Sequence, residues 1–66
     1  MAREGLLERY DQALALDPRH VEALYQSAYA LLELGRRADA IGRLTRAAAV
    51  DPANARVTEL LASIRP

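Results

Sequence analysis

The apolar residues of this chain recur at helical spacing, broken at three points. Val21, Leu24, Ala28, Leu31 and Leu32 follow one another in steps that keep them on one helix face, and Val57, Leu60, Leu61 and Ile64 repeat the habit near the end. An earlier segment carries Leu6, Leu7, Tyr10, Leu14 and Leu16, apolar on more than one side. No stretch alternates with period two and β-branched residues are scarce, so the expected fold class is all-α. The breaks are Asp17-Pro18, Gly35 and Asp51-Pro52. An aspartate accepts hydrogen bonds from the free N–H groups of a helix start, and proline fits the first helical position, so each Asp-Pro pair is expected to open a helix. The residue before a proline is pushed out of the α region, so Asp17 and Asp51 should also stop the preceding helix. Gly35, after "ALLEL", is a helix-ending glycine able to take the left-handed conformation. These marks predict helices over roughly 3–16, 18–34, 37–50 and 52–64, with short connections that favour antiparallel neighbours. Gly42, inside the third, costs a helix about 1 kcal/mol relative to alanine.

The chain also repeats itself. "ALALDPRHVEALYQ", residues 13–26, returns loosely as "AAAVDPANARVTEL", and the two Asp-Pro pairs lie 34 residues apart. A period in this range with two helices per unit signals a repeat architecture. Leu24, Ser27, Ala28 and Leu31, then Ala40, Leu44, Ala47 and Pro52, fall where the tetratricopeptide repeat has W-x2-L-G-x2-Y, A-x3-F, a second alanine and a closing proline; the chain resembles that family. Leucine stands for the family's aromatics and Ser27 for its leucine. The resemblance implies one domain over residues 1–66: a full repeat at 21–54, preceded by the second helix of a partial repeat at 3–18 and followed by a terminal helix at 55–65. Tyr10 and Ala13 suit the partial repeat, whereas Leu6 replaces an alanine; Thr58 and Arg65 replace aromatics of the last helix, which should be short and cap-like.

By resemblance, the function is that of a protein–protein interaction module. Stacked repeats of this family form a superhelix whose concave face, lined by the first helix of each pair, holds a peptide or partner protein. Here that face should carry Glu22, Tyr25, Tyr29, Leu32 and Glu33, with Arg56, Glu59 and Ser63 from the last helix. Tyr25, Tyr29 and Leu32 are spaced i, i+4, i+7 and form a stripe. Tyrosine offers large apolar area and a hydroxyl, which suits binding. The competing reading packs one or both tyrosines against the first segment to close the core. Family members that grip acidic chaperone tails use lysine, arginine and asparagine on this face; the absence of lysine and the presence of the tyrosines argue against that ligand.

Hydrophobic residues make up 52% of the chain and charged ones 27%, the balance of a folded domain. Nine arginines offset nine acidic residues with no lysine, so no net field favours nucleic acid or an anionic membrane. No apolar run approaches the roughly 18 residues of a membrane span, and "MAREGLLERY" has no signal-peptide character; a cytoplasmic location is expected. Without cysteine, and with His20 as the one histidine, a disulfide or Cys/His zinc site is excluded, and no cofactor is expected. His20 reads as a solvated or capping residue, and Glu4, Glu8 and Asp11 as a solvated face with arginine partners. "GRR" at residues 35–37 is a basic turn, not a phosphate loop, and nothing else points to an enzyme.

A chain this short gains little more from burial than it loses in conformational entropy, and repeat stacks normally need about three repeats with polar caps. The apolar residues of the first segment, Leu7, Tyr10 and Leu14 above all, are therefore expected to be covered by a second copy, giving a homodimer or larger assembly as the alternative function, unless the chain is a piece of a longer array.

Overall fold

A computed structural model describes residues 2–65, which form four helices in succession: α1 (Ala2–Leu16), α2 (Val21–Glu33), α3 (Arg37–Val50) and α4 (Ala55–Ile64). Residues described as helix are joined only by turns, with no strand among the described residues. Each helix packs chiefly on its sequence neighbour: α1 on α2, α2 on α3, and α3 on α4.

The Asp-Pro pairs do not open helices as expected. Asp17 instead finishes α1, its N–H donating to the Ala13 carbonyl at 2.9 Å, and then accepts the His20 N–H on its own carbonyl at 3.1 Å. Its Oδ1 accepts from the Arg19 N–H at 3.1 Å, so Asp17-Pro18-Arg19-His20 is a turn with aspartate and proline in the places such turns favour. Helix α2 starts after it, and the cap is His20, whose Nδ1 accepts the Ala23 N–H at 3.1 Å. The same construction recurs 34 residues later: Asp51 closes α3 on the Ala47 carbonyl, and Asn54 Oδ1 caps α4 by accepting from Val57 N–H at 3.2 Å. The capping reading of His20 thus holds, and the repeated unit is a turn plus a cap.

Between α2 and α3, Gly35 adopts a φ of 78°, the one positive φ among the described residues. The Arg36 N–H reaches back to the Leu31 carbonyl at 2.8 Å and the Gly35 N–H to Leu32 at 3.0 Å, the paired bonds of a glycine-terminated helix. Gly42 does not interrupt α3, which runs unbroken from Arg37 to Val50.

The positions that carry the repeat pattern are the core. Leu24, Ser27, Ala28, Leu31, Ala40, Leu44 and Ala47 are each no more than 1% exposed. The three alanines let backbones approach, and the leucines between them contribute about 1.5–3 kcal/mol each by leaving water. Ser27 is buried without cost to its hydroxyl, which donates to the Leu24 carbonyl at 3.0 Å. Val57 and Leu61 of α4 and Leu14 of α1 complete the cluster. Leu14 is therefore covered by its own chain, which corrects its assignment to a self-association surface; Leu7 and Tyr10 are half-buried against the same core. The large apolar side chains of α1 that stay exposed are Leu6 and Leu16.

Candidate functional site

The predicted stripe runs along the edge of the buried face of α2. Tyr25 and Leu32 are half-buried against the core, whereas Tyr29 is 49% exposed. The two tyrosine rings meet edge to face, 5.5 Å between centroids at 71°, an arrangement that suits the positive edge and negative face of aromatic rings. The two readings of the tyrosines are thus divided between them: Tyr25 helps to close the core and Tyr29 faces outward.

Helix α4 contributes through Arg56. Its guanidinium carbon sits 4.6 Å from the centroid of the Tyr25 ring, and its Nη1 lies 3.9 Å from Glu22 Oε1. Glu22 also accepts from Gln26 Nε2 at 2.7 Å, and Gln26 Oε1 accepts from the Tyr10 hydroxyl at 3.2 Å. A polar relay thus runs from α1 across α2 to α4, and the Tyr10 hydroxyl is engaged within its own chain. Gln26 was missed by sequence reasoning; the available signal was its i+4 spacing from Glu22, at which such side chains meet on a helix. Glu59 and Ser63 are exposed further along α4, Ser63 with its hydroxyl donated to the Leu60 carbonyl at 2.8 Å. Glu33 is exposed at the end of α2. Of the predicted partner-binding residues, Arg56 touches both Glu22 and Tyr25, while Tyr29 joins them through Tyr25.

A different surface is arginine-rich. Leu31, Arg36, Asp39, Gly42, Arg43 and Arg46 border an open cavity of about 340 Å3. Its cations are engaged internally: Arg36 pairs with Asp39 at 2.8 Å, Arg43 with Asp11 of α1 at 2.6 Å, and Arg46 donates to the Pro18 carbonyl at 3.2 Å. Asp11 thus has the arginine partner expected of the α1 acidic face, Glu8 is exposed, and the Glu4 side chain lies outside the described residues. Among the described residues, no group of three His, Cys, Asp or Glu side chains is placed to hold a metal ion, and no helix is long and apolar enough to cross a membrane.

The family model described as tetratricopeptide repeat matches residues 7–64. The chain belongs to the tetratricopeptide repeat family. Comparison with curated proteins and with solved structures gave no match. Tetratricopeptide repeats are generally protein–protein interaction modules. In this tetratricopeptide repeat protein the matched segment runs from Leu7, in the first half of α1, to Ile64, the last residue of α4, so it takes in all the turns and caps described above.

Proposed function

We propose that the chain is a protein-binding module whose contact surface is the tyrosine-bearing edge of α2 together with α4: Glu22, Tyr25, Tyr29 and Leu32 with Arg56 and Glu59. The observation that carries this reading is Tyr29. A large aromatic side chain left 49% exposed, beside a second tyrosine and a leucine in one stripe, is the kind of surface on which binding energy concentrates. Arg56 adds to it by holding Tyr25 from above, so that the stripe is pre-ordered before a partner arrives. The test is to select ligands for the intact chain from a displayed library of random twelve-residue peptides and map each by amide chemical shifts. Shifts clustered on α2 and α4, lost with Tyr29→Ala while the helical circular dichroism is kept, are expected. Shifts clustered on α1 or α3, or ligands indifferent to Tyr29, would defeat the proposal.

Self-association is the second reading, and Leu16, 90% exposed at the end of α1, is what favours it. Leu6, 42% exposed, adds apolar surface to the same helix. Under this reading a second copy covers α1, and the mass in solution exceeds that of one chain.

A further inference from the structure

The geometry points to a second site, on α3, where the arginine-bordered cavity holds the phosphate group of a small phosphate monoester. The site goes beyond the protein-binding reading and uses other residues. Asp39, Gly42, Arg43 and Arg46 are spaced i, i+3, i+4 and i+7, so they stand on one face of α3, and with Arg36 of the preceding turn they border an open cavity of about 340 Å3. That volume lies at the lower end for small-molecule sites, room for a phosphate and a few further atoms. Leu31 and Ala38 make the rest of the lining apolar, which suits the carbon skeleton of an ester.

Gly42 sets the shape of this cavity. A glycine inside a helix costs about 1 kcal/mol relative to alanine, and neither usual reason for it applies here: its φ is not positive, and a Cβ built on it meets nothing within 4 Å. The space that a side chain at this position would take is the cavity itself. The charges around it leave an excess of one cation. Asp39 is neutralised by Arg36, whose Nε and Nη2 reach its Oδ2 at 2.9 and 2.8 Å, and Asp11 of α1 is neutralised by Arg43, whose Nη1 lies 2.6 Å from its Oδ1. Arg46 has no carboxylate partner among the described residues; its Nη2 donates to a neutral group, the Pro18 carbonyl. Each guanidinium carries five N–H donors, and Arg43 and Arg46 each engage through one nitrogen, so donors remain on both. Two forks on adjacent turns offer more donors than the two oxygens of a carboxylate need, whereas a phosphate monoester presents three acceptor oxygens and a charge of about −1.5 to −2.

The test titrates the intact chain with glycerol 3-phosphate and with inorganic phosphate, at fixed pH and ionic strength, and reads amide chemical shifts; acetate and chloride are the controls. Saturable shifts at Gly42, Arg43 and Arg46 are expected, with glycerol 3-phosphate the tightest ligand. Arg46→Gln should weaken it about fivefold, the upper size of an exposed ion pair. Arg37→Gln removes the same charge from an exposed position that does not border the cavity and should change nothing. Gly42→Leu puts a good helix former into the cavity, so the saturable shifts should vanish while the helical circular dichroism is kept. Shifts that rise linearly without saturating, or equal weakening by Arg37→Gln and Arg46→Gln, would overturn the site, as would a folded Gly42→Leu protein that binds as before. Acetate or inorganic phosphate binding as tightly as glycerol 3-phosphate would overturn the monoester assignment.

Discussion

Two glycines of this chain should respond to the same substitution with opposite signs. Gly42 lies in the interior of α3, its φ is not positive, and a Cβ built on it meets nothing within 4 Å. Gly42→Ala therefore adds no clash and removes the entropic penalty of glycine in a helix, a gain of about 0.8–1 kcal/mol. Gly35 also has open space around its would-be Cβ, but its φ of 78° is a backbone state in which an L side chain crowds the following carbonyl. Gly35→Ala should cost about 1–2 kcal/mol and strain the bonds from Gly35 and Arg36 back to the end of α2. In a domain of this size each kcal/mol moves the thermal midpoint by about 4–8 °C, so circular dichroism melting should separate the two variants by roughly 10 °C or more around the parent. A Gly42→Ala protein that melts lower would refute the reasoning, because it would mean that the methyl meets a neighbour or that α3 is not continuous there. A Gly35→Ala protein that melts unchanged would refute the helix-ending geometry.

Ala47 is fully buried where the repeat pattern calls for a small residue, so Ala47→Leu should cost about 1–3 kcal/mol through overpacking, read as a lower midpoint in the same melt. For the cap of α2, His20→Ala should lose about 1 kcal/mol by stranding the Ala23 N–H, whereas His20→Asn should restore most of it, since Asn54 makes the equivalent bond to Val57 at the start of α4; chemical denaturation of the three proteins checks this.

The core was legible in the sequence because its positions are defined by spacing. Ala28, Ala40 and Ala47 stand out only against the 34-residue period, and each proves fully buried. Gly35 was legible for a different reason: a helix that stops must either supply a left-handed residue or leave carbonyls unpaired. Helix starts were harder. Asp-Pro is a strong signal both for a helix start and for the first half of a turn, and the choice depends on whether Asp17 N–H still belongs to the preceding helix; it does, through Ala13, so the cap moves three residues on to His20. The site was legible only as a stripe. That Arg56 lies on Tyr25, and that Gln26 ties Tyr10 to Glu22, depends on how α1 and α4 are aligned against α2, and such alignment leaves no local mark in the sequence.

The same geometry separates the two functional readings. Tyr25, Tyr29 and Leu32 span about 10 Å along α2 and lie within about 60° of one another around its axis, so one partner can touch all three. Leu6 and Leu16 are about 15 Å apart along α1 and about 80° apart around it, with Leu14 and half-buried Tyr10 turned to the core between them. Two isolated leucines make no continuous seam, and a stable helix pairing needs apolar residues repeated every three or four positions on one face. The surface of α1 is therefore a poor match for a second copy, and the α2–α4 face is the better candidate for contact. Light scattering should return the mass of one chain, 7.3 kDa, across a wide concentration range, and Leu16→Ser should leave that mass unchanged. A larger mass that Leu16→Ser reduces to one chain would reverse the order of the two readings; a larger mass that Tyr29→Ala reduces would mean that the binding face takes a second copy of the chain as its ligand.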